Sequence, residues 1–199
     1  MEAALPIWLK IAYSLMCAII APIWLRVYGA KNFLWFSDIA LFTTAFALWL
    51  ESALLASMMA LAVMLPELVW AASFFGRLLT RRRLTDLADY MFEAEKPLYV
   101  RGLSLLFHLV MPGVLLWIIH VWGYDSRALA AQTALAALVL PLTYALTTPQ
   151  ENVNWVYGLW GGPQQRIPRL AYLGLLMLLL PALVYLPTHL ALEGVFGHS

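Results

Sequence analysis

An apolar run from Ala53 to Phe75 constrains the fold of this chain more than any other feature of its sequence. As an α-helix rising ~1.5 Å per residue, it is long enough to cross the ~30 Å hydrocarbon core of a bilayer. Glu67 lies inside the run, where a carboxylate costs ~2.5–3.5 kcal/mol on membrane-insertion scales. Arginines cluster between positions 77 and 83, and such clusters stay on the cytoplasmic side. The run therefore predicts a membrane helix of defined orientation, with a buried acid that needs a partner or a function.

Composition extends this prediction to the whole chain. Hydrophobic residues make up 63% of the 199 residues and charged residues only 12%, whereas a soluble domain carries about 25% charged residues. A net charge of +1 without a basic patch predicts no nucleic-acid partner. Cys17 is the only cysteine, which excludes an internal disulfide and a cysteine-based zinc cluster. We therefore predict an all-α, polytopic membrane protein that forms a single domain over residues 1–199.

Six apolar segments are predicted to be transmembrane helices. They cover residues of about 5–28, 33–50, 53–75, 102–122, 128–146 and 170–190. In the charged loop after the third span, Leu84, Leu87, Met91 and Phe92 fall at helical spacing. This pattern predicts a short helix on the cytoplasmic membrane surface. The tail after the sixth span is expected to be disordered.

The distribution of basic residues predicts how the chain is oriented. Of the 12 lysines and arginines, all but Lys10 and Arg127 fall within residues 26–31, 77–101 and 147–169. Because basic loops stay inside, these three loops are expected in the cytoplasm and both termini outside it. We expect the protein to be a multi-pass protein of the cell inner (plasma) membrane.

Orientation turns sequence positions into depths, and three ionisable residues share one depth. Asp38 in span two, Glu67 in span three and His108 in span four each lie roughly 7–12 Å below the cytoplasmic face at ~1.5 Å per residue. Ser37 shares the level of Asp38. Since ionisable groups in a membrane point into the helix bundle and pair with one another, we expect these residues to converge. The other histidines are expected to be solvated or interfacial: His120, His189 and His198.

Four interpretations of this polar layer remain open. Asp38, Glu67 and His108 could form a structural hydrogen-bond network between helices. They could be catalytic, with Ser37 as nucleophile, His108 as base, and Asp38 or Glu67 orienting the imidazole. They could bind a metal, although the chain has no HExxH motif. Glu67 could instead serve a proton-coupled carrier. We predict no metal and no cofactor.

The loop before the sixth span is rich in hydrogen-bonding side chains. Asn152, Asn154 and Trp155 lie in it, and Tyr144 lies close to the cytoplasmic end of span five. Tyr144 and Asn154 are candidate donors to a developing oxyanion or to a lipid head group, and the loop is a candidate lid over the polar layer. An ordinary interfacial loop is the alternative. The expected partners are membrane lipids or a small amphiphilic substrate.

Two stretches resemble sequences of known membrane families. NFLWFSDIALF (32–42) and NVNWVYG (152–158) resemble those of a family of bacterial membrane-associated proteins, a likeness that implies no activity. More remotely, FSDIAL, His108 followed by Pro112, and WVYG are similar to the six-helix lipid hydrolases and acyltransferases of the androgen-induced family and to YwaF-type proteins. Those families use a hydroxyl or thiol nucleophile on an early helix and a histidine on a later one. The nucleophilic threonine of the androgen-induced branch falls here on Trp35, so the resemblance implies Ser37 as nucleophile. It thus favours lipid hydrolysis or acyl transfer over a non-catalytic carrier or a structural subunit of a membrane complex.

Overall fold

The computed structural model describes residues 4–159 and 162–197, and its regular structure is helical throughout these ranges. The last two α-helices are joined by a π-helical turn, Pro181–Tyr185, which accommodates the proline at the break. Single 3₁₀ turns occur at Ala30–Leu34, Asp89–Phe92 and Val153–Trp155. The α-helices are α1 (Ile7–Val27), α2 (Phe36–Leu50), α3 (Ala53–Thr80), α4 (Leu98–Trp122), α5 (Ala128–Leu146), α6 (Arg169–Leu180) and α7 (Leu186–Phe196).

Five helices in the described ranges are long and apolar enough to cross a membrane. They are α1, α3, α4, α5 and the continuous segment Arg169–Phe196. The all-α prediction is confirmed, and the architecture is compatible with a multi-pass membrane protein. Helix α2 has 15 residues and rises ~22 Å, which is less than the ~30 Å hydrocarbon core. The second predicted span is shorter than expected because Trp35 is extended (φ −59°, ψ 135°) and the helix begins after it.

Helix α3 is the centre of the bundle and contacts α2, α4, α5 and α7. It begins where the Ser52 hydroxyl accepts a hydrogen bond from the Leu55 N–H, and it ends at Arg81, whose backbone is left-handed. Leu61 of α3 is fully buried, as are Met111 and Leu115 of α4. The charged last turns of α3 extend beyond the predicted end at residue 75.

The prediction of a surface helix between α3 and α4 is wrong. The structure has only the single 3₁₀ turn Asp89–Phe92 there. Met91 and Ala88 pack against Trp70 and Phe74 of α3 in a small second core, so the loop folds back onto the bundle. Arg77 Nη1 donates to Asp89 Oδ1 over 2.5 Å and holds this turn against the end of α3.

The chain remains helical beyond the predicted end of the sixth span, and α7 reaches Phe196. The prediction of a disordered tail is therefore wrong for the residues up to 197. His198 lies outside the described residues. His189 is also less solvated than expected, since its side chain is 12% exposed. Its Nδ1 lies 2.7 Å from Tyr124 Oη, and its Nε2 lies 3.2 Å from Glu193 Oε2.

Charge is distributed unequally between the two ends of the bundle. At one end Lys10 of α1 forms an ion pair with Glu51, which follows α2 (2.5 Å). At the other end Lys31 lies 3.0 Å from Glu151 and ties the α1–α2 connection to the loop after α5. This second end also carries the arginine-rich end of α3, and the polar layer lies next to it.

Candidate functional site

A cavity of about 300 Å³ lies between α1, α2, α3 and α4 near the basic end of the bundle. Its lining includes Ser37, Asp38, Glu67 and His108, the four side chains that the sequence places at one depth. The structure therefore brings all four candidate catalytic residues together. Two of the four candidate binding residues, Asn154 and Trp155, also line it.

A chain of hydrogen bonds crosses one wall of the cavity and joins α3, α4 and the loop between them. His108 Nδ1 lies 2.7 Å from Glu67 Oε2, and His108 Nε2 lies 2.9 Å from Tyr90 Oη. Tyr90 Oη lies 2.8 Å from Ser104 Oγ. A carboxylate at Glu67 accepts the Nδ1 proton, which leaves Nε2 to accept the Tyr90 hydroxyl proton. Burial raises the pKa of Tyr90 well above its ordinary value, so this hydroxyl keeps its proton at neutral pH.

Aromatic packing fixes the plane of the His108 ring. The Trp70 ring stacks on it at 4.1 Å between centroids with an interplanar angle of 19°. Phe107, the preceding residue of α4, lies 4.0 Å away between centroids. Glu67 thus sets the position of one ring nitrogen, and Trp70 sets the tilt of the ring. An imidazole held in this way has a defined tautomer and orientation.

Asp38 also lines the cavity, outside this chain of hydrogen bonds, and one of its oxygens has no hydrogen-bond partner within the described residues. It is 3% exposed, and Asn32 Nδ2 donates to its Oδ2 over 2.8 Å. Its Oδ1 is buried and has no hydrogen-bond partner among the described residues. Asp38 is therefore not the group that orients His108, a role that Glu67 fills.

Ser37 lines the cavity but does not contact His108 as a nucleophile would contact its base. Within the described ranges the Ser37 hydroxyl has no hydrogen bond, and both ring nitrogens of His108 are occupied by Glu67 and Tyr90. The expected Ser37–His108 pair is thus not formed. For His108 to act on Ser37, the Tyr90 hydroxyl must first leave Nε2.

Asn154 stabilises the entry into α2, a role that the sequence analysis did not assign to it. Its Oδ1 accepts the Phe36 N–H at 3.0 Å, and its Nδ2 donates to the Leu34 carbonyl at 2.7 Å. Nδ2 also lies 3.4 Å from Thr143 Oγ1. An amide used in this way has no hydrogen left for an oxyanion, so the expected donor role of Asn154 is not supported. It satisfies an N–H at the first turn of α2, which has no partner within its own helix.

The other candidate binding residues organise the loop around Asn154. Asn152 Oδ1 accepts the Tyr157 N–H at 3.0 Å, and its Nδ2 donates to the Gly158 carbonyl at 2.8 Å. Tyr144 lies outside the cavity lining, and its ring packs 4.9 Å from that of Tyr157. Trp155 does line the cavity and packs edge-on against Trp35 at 5.8 Å. Asn152 and Tyr144 therefore support the loop rather than face the cavity.

Sequence reasoning missed several polar side chains of the lining, among them Asn32, Tyr90, Lys96 and Ser104. Ser104 lies one helical turn before His108, a spacing that places both on one face of α4 and could have signalled it. Tyr90 and Lys96 belong to the loop between α3 and α4. Because the helix predicted there does not form, its spacing could not show which way these side chains point. Lys96 Nζ lies 5.4 Å from the Tyr28 ring centroid and 4.9 Å from that of Tyr90.

The cavity changes character along its length. Asn32, Asp38 and Lys96 line the end near the basic loops, whereas Ala62 and Val63 of α3 and Leu180 of α6 are apolar members of the lining. Ala62 lies about four residues, or ~6 Å along the helix axis, deeper than Pro66. No cluster of three His, Cys, Asp or Glu residues in the described ranges is arranged to bind a metal ion.

The arrangement can do two things chemically. It can bind a molecule that has both polar and apolar parts, and it can present an oriented imidazole backed by a carboxylate. Comparisons with protein-family models, curated proteins and solved structures found no match to this chain.

Proposed function

We propose that the protein is a six-span protein of the cell inner (plasma) membrane, with both termini outside the cytoplasm. The charge distribution supports this orientation, because lysines and arginines concentrate at one end of the bundle. Helix α2 would cross with the help of the Ala30–Leu34 turn, and the bilayer would thin locally around it. Single cysteines at positions 83 and 127 in a Cys17→Ala background test the topology. In intact cells a membrane-impermeant maleimide should label position 127 and not position 83, and the reverse pattern would overturn the orientation.

We infer that the cavity binds a lipid or another amphiphile from the cytoplasmic leaflet. The observation that carries this inference is the change from polar to apolar lining within one cavity. A volume of about 300 Å³ lies at the lower end of the range of small-molecule sites, roughly 300–1,000 Å³. It is large enough for a head group and the first part of a chain. The polar residues would contact the head group, while Val63 and Leu180 would contact the chain.

Filling the apolar part of the cavity tests amphiphile binding. Val63 is 2% exposed and lines the cavity, whereas Val69 of the same helix is 43% exposed. Val63→Phe should lower the amount of lipid retained on the purified protein, measured by native mass spectrometry. Val69→Phe adds the same ring on the outside of the bundle and should retain the wild-type amount. Equal retention by the two folded variants would contradict the proposal.

A second candidate function is hydrolysis or acyl transfer on the bound lipid, favoured by the 2.7 Å contact between Glu67 and His108. In this reaction Tyr90 moves from His108 Nε2, and the imidazole takes the proton of the Ser37 hydroxyl. Ser37 Oγ then bonds to the ester carbonyl carbon. The tetrahedral intermediate collapses by breaking the bond to the alcohol oxygen, which receives the proton from the imidazolium. Water, or an acceptor alcohol, releases the acyl group by the same steps.

Lipid turnover by purified protein tests the second candidate. Release of fatty acid from a phospholipid should fall by about 10²–10⁴-fold in His108→Ala, because a positioned base contributes that much. Ser37→Ala should lose the acyl-enzyme intermediate that mass spectrometry would detect in the wild type. Lipid binding without any turnover in the wild type would leave the binding function and remove the catalytic one.

A further inference from the structure

We propose, building on the amphiphile binding proposed above, that the cavity selects a cationic amine. The ammonium group would lie against the Asp38 carboxyl group and the indole rings that line the cavity. Two features of the polar part of the cavity carry the proposal: a carboxyl oxygen that forms no hydrogen bond within the described residues, and several tryptophan rings in the lining.

Asp38 supplies the acceptor. It is 3% exposed and lines the cavity, and its Oδ2 is satisfied by the Asn32 amide at 2.8 Å. Oδ1 is buried and forms no hydrogen bond in the described part of the chain, although the Trp24 indole N–H also interacts with this carboxyl group. Buried polar atoms nearly always have a partner, and leaving one unpaired is costly. A ligand with a hydrogen-bond donor would satisfy Oδ1, whereas a phosphate or carboxylate would bring only more acceptors to it.

The aromatic wall distinguishes an ammonium group from a neutral hydroxyl. Trp24, Trp35 and Trp155 line the cavity, and so does Trp70, whose ring is stacked against His108 and Phe74. The faces of such rings carry negative quadrupole charge and attract cations, most strongly for tryptophan. Groups of aromatic rings are a recurring way in which proteins recognise ammonium ligands.

The protein already uses this attraction at the same site. Lys96 Nζ lies within 5.4 Å of the Tyr28 and Tyr90 ring centroids. Lys96 is paired with Glu93 at 3.1 Å, and His108 is paired with Glu67. Both cation-forming side chains of the lining are thus paired with other acids, and a cation on the ligand would be the partner of Asp38.

A series of amphiphiles with one chain length and different head groups tests the proposal. Hexylamine, hexyltrimethylammonium, 1-hexanol and hexanoate are titrated calorimetrically into the full chain in maltoside micelles, which carry no charge. The wild type should bind hexylamine at least about tenfold more tightly than 1-hexanol, since a desolvated cation–π contact contributes that much. Equal dissociation constants for the amine and the alcohol would overturn the proposal.

Asp38→Asn assigns the preference to this residue. The variant keeps an acceptor for the Asn32 amide and removes the charge, so the tenfold preference should disappear. Glu95→Gln removes a charge from an exposed residue of the loop between α3 and α4. This control variant should keep the tenfold preference for the amine. An amine preference that persists in Asp38→Asn would refute the assignment. If Asp38→Asn does not fold, the wild-type series decides alone.

Other outcomes of these titrations distinguish a failure of the amine preference from a failure of amphiphile binding. Competition experiments identify the source of the amine. If the alcohol and hexanoate bind as tightly as the amine and Val63→Phe blocks all three, amphiphile binding stands and the amine preference fails. If none of the four probes binds, both fail. Competition against hexylamine by phosphatidylethanolamine but not phosphatidylglycerol would identify a lipid head group. Competition by neither, with hexylamine still preferred, would identify a free amine.

Discussion

His108 Nδ1 lies 2.7 Å from Glu67 Oε2 and joins the two helices at the centre of the bundle. The side chains are 10% and 5% exposed, so this contact is shielded from water. Removing one member of such a pair leaves the other without its partner, which costs more than the contact itself contributes. The contact serves both the packing of α3 on α4 and the orientation of the imidazole toward the cavity.

A double-mutant cycle measures this relationship. Glu67→Ala and His108→Ala should each lower the free energy of unfolding by about 1–3 kcal/mol, because each leaves a buried polar group unpaired. The double variant should lose less than the sum, with a coupling of about 0.5–2 kcal/mol. Unfolding by titration with SDS in mixed micelles gives the four values. Strict additivity would show that the two side chains do not interact.

Asn154→Ala should loosen the connection between the loop after α5 and the start of α2. The variant loses the acceptor for the Phe36 N–H and the donor to the Leu34 carbonyl, and a lost cap costs about 0.5–2 kcal/mol. Gln165→Ala, an exposed position of the same loop, should change the free energy of unfolding by less than about 0.5 kcal/mol. Limited proteolysis of this loop should accelerate only in Asn154→Ala. Equal cleavage rates would contradict the clamping role.

Gly158 lies where two segments of the loop backbone approach each other too closely for a side chain. A Cβ at this position would lie 2.3 Å from the Gly162 carbonyl oxygen and 2.6 Å from the Gln164 nitrogen, both backbone atoms. Gly158→Ala should therefore destabilise the protein by about 1–3 kcal/mol. A Cβ at Gly174 in α6 would meet no atom within 4 Å, so Gly174→Ala should stabilise the protein by about 0.5–1 kcal/mol. Thermal unfolding of the two variants should show opposite shifts, and shifts of the same sign would refute the close approach.

The ion pair between Lys31 and Glu151 predicts a loss of stability in acid. The Lys31 ammonium lowers the pKa of Glu151 below its ordinary value of 4.5. A carboxyl group with a lowered folded-state pKa stabilises the fold above pH 4.5, and this contribution is lost as the pH falls through the folded-state value. Lys31→Met should therefore flatten the acid limb of a stability-against-pH curve. An acid limb of unchanged slope would show that the pair contributes nothing to it.

The sequence by itself determined the architecture and the level of the site. Apolar runs about as long as the hydrocarbon core is thick can bury their backbone polar groups only as helices, so a helix was predicted in each apolar run. The bounds 128–146 were predicted without error, whereas α3 and the last helix extend beyond their predicted ends. Depth along a helix is a count of residues. Asp38, Glu67 and His108 could therefore be placed in one layer before their partners were visible.

Only the tertiary structure decided which groups pair within that layer. Rotation of a helix about its axis depends on packing against its neighbours, so the sequence left open whether Asp38 or Glu67 contacts His108. Tyr90, Lys96 and Asn154 reach the cavity from segments that form no α-helix, and their positions follow from contacts between residues distant in sequence. Asn154, predicted to bind a substrate group, instead binds the backbone at Phe36, 118 residues away. A buried N–H at a helix start needs an acceptor, and the fold brings Asn154 Oδ1 to the N–H of Phe36.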